Sequence, residues 1–169
     1  MPNYSKIKLI VLDVDGTLTD GGIYYDSQGN EMKRFDVKDG LGIKVALAAG
    51  LQIAVITGRI SPIVERRVKE LGIQHLIQGV QKKVPALCGL AENLGLSLGE
   101  IAYMGDDLND LPAMNLVGFR ACPADADEQV RELCEFVAQK NGGNGAVREF
   151  VQYILTQENC WRTIVDALY

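Results

Sequence analysis

Histidine is almost missing from this chain: His75 stands alone among 169 residues. Cys88, Cys122, Cys134 and Cys160 show no CxxC spacing. Without paired imidazoles or paired thiols a zinc centre is excluded, and the thiols are expected to be free and buried in a reducing compartment. Excess positive charge is missing too. The formal net charge is −5, which argues against nucleic acid as a general partner. No apolar run approaches the length that spans a bilayer, and Met1–Lys8 has no apolar signal-peptide core. A cytoplasmic protein with no membrane partner is therefore expected. Internal repeats and low-complexity segments are absent as well. What remains suits one soluble domain: 47% apolar and 23% charged residues, in a length that can bury a sizeable core.

The stretch that organises the rest is Leu9-Ile-Val-Leu-Asp13-Val-Asp15-Gly16-Thr17. An unbroken apolar run suits a strand buried on both faces. Placing Asp13 and Asp15 at its end is costly unless they have a partner, and a hard divalent cation is the obvious one. Beyond it, two short β-prone runs around Asp26–Asn30 predict a hairpin. Asp36–Gly40 reads as a loop and Leu41–Ala49 as a helix stopped by Gly50. Gln52–Thr57 is a second buried strand. Ser61 and Pro62 open a helix that runs to Leu71. A strand at His75–Ile77, a helix at Lys83–Leu94 and a strand at Ile101–Met104 follow. Then come a short helix Leu111–Asn115, a strand Leu116–Ala121, a helix Ala126–Cys134 and a strand Phe136–Ala138. The glycine-rich Asn141–Gly145 precedes a last helix, Ala146–Thr156.

This alternation predicts an α/β fold, a Rossmann-like doubly wound parallel sheet with helices on both faces. Such sheets carry ligands at the carboxyl ends of their strands. Asp13 and Asp15, Thr57, and Asp106, Asp107 and Asp110 each follow an apolar strand, and Lys83 lies shortly after another. Taken singly, each has a plain structural role: a turn threonine, a solvated lysine face at Lys82-Lys83, or helix caps at Asp107 and Asp110. Together on one rim they suit phosphoryl transfer. Carboxylates can hold Mg²⁺, an ammonium can offset phosphate charge, and a carboxylate can serve as nucleophile.

Asp13-x-Asp15-Gly-Thr17, Thr57, Lys83 and Gly105-Asp-Asp-x-x-Asp110 resemble, in order, the four motifs of the haloacid dehalogenase-like phosphatases. The resemblance implies that Asp13 is the nucleophile and Asp15 the acid/base. It implies that Thr57 and Lys83 hold the phosphoryl group, and that Asp13, the Asp15 carbonyl and Asp106 bind Mg²⁺, with Asp107 and Asp110 supporting them. Many members carry a cap domain, but Thr17 to Gly40 has room only for a protruding β-hairpin, and Lys83 to Asp106 has no room for a domain. A neighbouring chain is therefore expected to complete the site and exclude water. The hairpin at residues 20–36, with Ile23, Tyr24, Tyr25, Met32 and Phe35, is the expected interface.

Asp20-Gly-x-x-Tyr24, Asp39-Gly-Leu-Gly-Ile43, Gly105–Pro112, Pro123–Ala126 and Gly142-Gly-x-Gly-Ala-Val-Arg-Glu149 resemble the 3-deoxy-D-manno-octulosonate 8-phosphate phosphatases. Those are capless homotetramers of lipopolysaccharide biosynthesis, whose substrate carries a phosphate and a carboxylate. By this resemblance the sugar acid is expected to meet Asp15, Gly58, Arg59, Arg67, Lys83 and Lys44. The Asp36-Val37-Lys38-Asp39-Gly40 loop is expected beside them. Asn144 departs from the basic residue usual in the family. The neighbouring expectations are phosphatases of 2-keto-3-deoxynononate 9-phosphate or acylneuraminate 9-phosphate. A different class, a phospho-accepting receiver module, would place its acidic pair first and its acceptor later, the reverse of the order here. The expected organisation is a phosphatase domain over residues 1–157 with the hairpin inserted, then a tail over 158–169. In that tail Trp161, Ile164, Val165 and Leu168 recur at helical spacing.

Overall fold

The computed structural model describes residues 6–168. Strand β1, Leu9–Leu12, has no exposed surface. It is paired on both sides, Leu9 to Leu12 running against Gln52 to Val55 on one flank and Ile101 to Met104 on the other. A strand's side chains alternate between faces, so β1 feeds two cores. Ile10 and Leu12 join one apolar cluster; Leu9 and Val11 join the other. That is why the run carries no polar residue in register.

The chain then builds β2 (Tyr24–Tyr25), β3 (Glu31–Met32), α1 (Val37–Ala48), β4 (Gln52–Ile56), α2 (Pro62–Leu71), β5 (His75–Ile77) and α3 (Lys83–Leu94). After them come β6 (Ile101–Met104), α4 (Leu111–Met114), β7 (Phe119–Cys122), α5 (Glu128–Leu133), β8 (Phe136–Val137), α6 (Ala146–Gln157) and α7 (Trp161–Leu168). The main sheet is ordered β5-β4-β1-β6-β7-β8, parallel throughout. Buried residues of α1, α2 and α6 pack on one face, and those of α3, α4 and α5 on the other. The antiparallel pair β2–β3 stands apart as its own small sheet. Trp161, Ile164 and Val165 of α7 pack against the same core as α1 and α6, and the Arg148 guanidinium lies 5.2 Å over the Trp161 ring.

Two boundaries differ from the sequence reading by three residues or more. Asp36–Gly40 is not a loop. Asp36 is extended (φ −92°, ψ 137°) and its carboxylate accepts from the amides of Lys38 and Asp39, so α1 begins at Val37. Gly40 and Gly42 hide this helical turn from a propensity reading. Strand β7 starts at Phe119 rather than Leu116, because Gly118 turns tightly against the preceding segment. Its amide donates to Leu98 O at 3.0 Å, and a Cβ there would lie 2.2 Å from Gly99 O.

Helix α6 begins at a residue with no side chain, Gly145, so its first amides need a cap from elsewhere. Asp39 of α1 supplies it, accepting from Gly145 N at 3.2 Å and Arg148 N at 2.8 Å. Burial pushes the Asp39 carboxyl up to about 6, while those amides pull the other way. The outcome expected for Asp39→Asn is a stability loss of about 1–3 kcal/mol, since one buried amide is left facing an NH₂. A urea midpoint that falls with an unchanged m value would show it, and an unmoved midpoint would refute the cap.

Candidate active site

At the carboxyl end of β1 the Asp13 amide donates to Met104 O at 3.0 Å, carrying the sheet's pairing one residue into the turn. The Asp13 side chain is thereby held beside the end of β6. Carboxylate oxygens of Asp13, Asp106 and Asp110 lie within 4.8 Å of one another. Lys83, at the start of α3, reaches this cluster fully buried. Its Nζ is 2.5 Å from Asp13 Oδ1 and 2.7 Å from Asp110 Oδ1.

Asp110 is the best satisfied of the three acids. Tyr103 donates its hydroxyl to Asp110 Oδ1 at 2.8 Å. The amides of Asp106 and Asp107 donate to Oδ2 at 3.2 and 3.4 Å. Asp106 accepts from Thr17 Oγ1 at 3.0 Å. Gly16, with φ +98°, lies so close that a Cβ would fall 2.0 Å from Asp106 Oδ2. The late glycine-rich loop closes over the same turn. Gly143 N donates to Thr17 O at 3.1 Å, and a Cβ on Gly142 would sit 1.7 Å from Gly16 O. Only a residue without a side chain fits either place.

The electrostatics are unbalanced. Three buried or half-buried carboxylates face one ammonium. Burial first, then the neighbouring Asp110, pushes Asp13 up to about 6, against the pull of Lys83. Burial, Asp13 and Asp110 push Asp106 to about 8. Burial works to lower the Lys83 ammonium, but Asp13 and Asp110 outweigh it and hold the group above its usual range. A cluster short of positive charge, with oxygen donors only and a glycine-lined approach, fits a hard divalent cation. The group such a cluster binds is Mg²⁺. Asp13 and Asp106 are the carboxylates able to hold it, since Asp110 is already engaged by Tyr103, Lys83 and two amides.

The remaining expected residues are dispersed around this centre. Thr57 directly follows β4, is buried, and donates its amide to Ile77 O at 3.0 Å. Lys82 is exposed while Lys83 is buried. Asp107 is exposed and accepts from Leu108 N at 2.7 Å. Asp15 forms an ion pair with Lys33 of the hairpin. Arg59, beside Gly58, is bonded to Glu31 Oε1 at 3.0 Å and Tyr25 Oη at 3.2 Å. Arg67 donates to Asp36 O at 3.4 Å and lies over the Phe35 ring, lining a hollow with Val37 and Ile63. Lys38 lines a different groove, with Asn144 and Arg148. Asp39 is occupied by its cap, Gly40 backs onto Arg67, and Lys44 is exposed on α1. The sequence reading passed over Glu31, Lys33 and Tyr103. The alternation that puts Glu31 and Lys33 on one side of a strand was the available signal for the first two. Tyr103 read only as part of a buried strand.

A family model of haloacid dehalogenase-like hydrolases matches residues 76–150. The chain is 43% identical over 155 residues to the 3-deoxy-D-manno-octulosonate 8-phosphate phosphatase KdsC of Escherichia coli strain B, an alignment covering 92% of this chain and 82% of that one. It superposes with a TM-score of 0.94 at 46% identity on the Moraxella catarrhalis phosphatase of the same name, solved with magnesium, phosphate and KDO, covering 98% and 97% of the two chains. A cobalt-bound Haemophilus influenzae phosphatase superposes at 0.89 with 41% identity, covering 92% and 91%.

The Gly16 contact gives a direct check on the cation centre. Gly16→Ala drives a methyl into the Asp106 carboxylate and is expected to weaken Mg²⁺ binding by about 10–100-fold, the range for disturbing a ligand's support. Gly89→Ala, at a helix position where a Cβ meets nothing within 4 Å, should leave it unchanged. Calorimetric titration of both variants decides the matter.

Proposed function

The chain belongs to the haloacid dehalogenase-like 3-deoxy-D-manno-octulosonate 8-phosphate phosphatases, and on that premise we propose that it frees this sugar acid from its phosphate through an aspartyl-phosphate on Asp13. The observation that carries the reading is Lys83. Its ammonium lies 2.5 Å from Asp13 Oδ1, inside a cluster of carboxylates otherwise short of positive charge. An anionic substrate together with a cation would balance the charge kept in this buried cluster.

In the first step an Asp13 oxygen bonds to phosphorus while the ester oxygen of the sugar leaves, and Asp15 gives that oxygen a proton. In the second, water attacks the same phosphorus, Asp15 takes the water's proton, and Asp13 is released with inorganic phosphate. Lys83 and the Thr57 hydroxyl hold the phosphoryl oxygens. Asp13, Asp106 and the Asp15 carbonyl would hold Mg²⁺, whose charge would let a phosphate approach a carboxylate. Asp110 keeps Lys83 and the Asp106 loop in place, with Asp107 contributing its amide. Arg59 and Arg67 are the cations we assign to the carboxylate end of the sugar acid, while Lys38 lines a separate groove and Lys44 stands exposed on α1. The octulosonate is preferred over the nononate and neuraminate phosphates because relatives similar over most of the chain carry its name. Cytoplasmic lipopolysaccharide sugar synthesis is the setting we propose.

We propose further that the working form is a homotetramer with the 20–36 hairpin at its interface. Ile23 is 61% exposed, Tyr25 58% and Met32 53%, an apolar surface on a two-stranded element that a neighbour would cover.

Phosphate release from 3-deoxy-D-manno-octulosonate 8-phosphate tests the chemistry. Asp13→Asn should keep the fold and lose at least about 10³-fold in turnover. Chelation of Mg²⁺ should silence the native enzyme reversibly, and surviving activity in either case would refute the reading. Light scattering tests the assembly: Ile23→Asp with Met32→Lys should lower the molar mass of the particle, and an unchanged mass would remove the hairpin from the interface.

A further inference from the structure

Lys33 belongs to the hairpin, whose neighbouring apolar residues stand out in solvent, yet its side chain is only 3% exposed. Burying an ammonium costs free energy unless it is paired. Its close partner is Asp15 Oδ1, and Glu31 Oε1 lies at 3.4 Å. Glu31 has other partners: Arg59 Nη2 at 3.0 Å and Ser61 Oγ at 2.7 Å. Ser61 occupies the N-cap of α2 but its side chain makes no cap bond, so its hydroxyl serves the hairpin instead. Glu31 is thus satisfied without Lys33. The ammonium is needed by Asp15.

We infer that Lys33 is a positioning residue for Asp15: it ties Oδ1 and leaves Oδ2 as the oxygen that exchanges the proton with the ester oxygen of the substrate. Among the described residues Oδ2 takes no hydrogen bond. The chain Ser61 and Arg59 to Glu31, Glu31 to Lys33, Lys33 to Asp15 links the rim after β4 to the turn after β1 through an element outside the main sheet. A carboxyl that must donate in one step and accept in the next needs one oxygen fixed and the other available. An ammonium on Oδ1 meets that need without covering Oδ2. This inference rests on the acid–base role proposed for Asp15.

Leaving-group dependence separates positioning from plain structure. An alkoxide leaving group needs a proton as it departs, whereas 4-nitrophenolate does not. The quantity to read is kcat/KM, which reports only the steps through formation of the aspartyl-phosphate. For Lys33→Met we expect kcat/KM on 3-deoxy-D-manno-octulosonate 8-phosphate to fall about 10–100-fold, and on 4-nitrophenyl phosphate less than about threefold, as for partial loss of a general acid. Asp15→Asn, run alongside, should show the same selectivity at larger size. Equal losses of Lys33→Met on both substrates, or no loss on either, would overturn the inference while a selective Asp15→Asn leaves the mechanism standing. Equal losses of Asp15→Asn on both would overturn the mechanism beneath it. Should Lys33→Met fail to fold, Lys33→Arg keeps the charge and shifts the donor. A selective but smaller loss then supports the inference, and parity between substrates overturns it.

Discussion

Lys83 sits between two buried carboxylates, and much of the molecule is arranged around that fact. Its ammonium touches Asp13 and Asp110 with almost no solvent to share the charge. Either acid alone with Lys83 would make a neutral pair, which burial tolerates. The two together already leave it net negative, and the third, Asp106, adds to the excess and raises the cost of every charge in the cluster. The surroundings therefore supply fixed dipoles wherever they can. Tyr103 gives a hydroxyl, the 106 and 107 amides point at Asp110, and Thr17 steadies Asp106. The charge left over is the part that only a cation and a phosphate together can balance.

Delivering these groups to one point is the work of the sheet. β1, β4 and β6 are adjacent and parallel, so the turns after them meet at one edge. The central strand brings Asp13 and Asp15, β4 brings Thr57, β6 brings the Asp106–Asp110 loop, and α3 begins with Lys83 beneath them. The glycines finish the closure. At Gly16, Gly105 and Gly142 a Cβ would overlap a carboxylate or a carbonyl of the neighbouring turn. Backbone thus packs closely on side chain at the base of the site.

The sequence made the sheet and its rim legible because both rest on local signals. Unbroken apolar runs mark strands buried on two faces, and the acids follow them directly. Lys83 rather than Lys82 could be chosen from its position, and the buried side chain is the one found in the cluster. The relations that span the chain were not legible. Asp39 looked like part of a substrate loop, but its carboxylate caps a helix more than a hundred residues on. Composition and periodicity carry no mark of a cap donated by another helix. Arg59 read as a substrate contact beside Thr57, and its bonds to Glu31 and Tyr25 were not legible. Such pairings depend on how a hairpin folds back, which register in a two-residue strand does little to fix.

That hairpin is where cover and chemistry meet. A site without a cap domain must limit water by other means, since water weakens every charge interaction in the pocket. An element that only covered the site would need apolar surface and nothing more. This one has exposed apolar residues on one face, Tyr24 opposite Met32, and charge on the other, in Glu31 and Lys33, with Tyr25 opposite Glu31. The alternation of a strand makes both possible in a few residues. Inward charges demand partners in the rim, and finding Asp15, Arg59 and Ser61 there fixes the hairpin's angle over the turn after β1. Outward apolar residues in turn gain from a neighbour only if the hairpin holds that angle. The placement of Asp15 and the angle of the hairpin are therefore consequences of one set of ion pairs rather than two separate features.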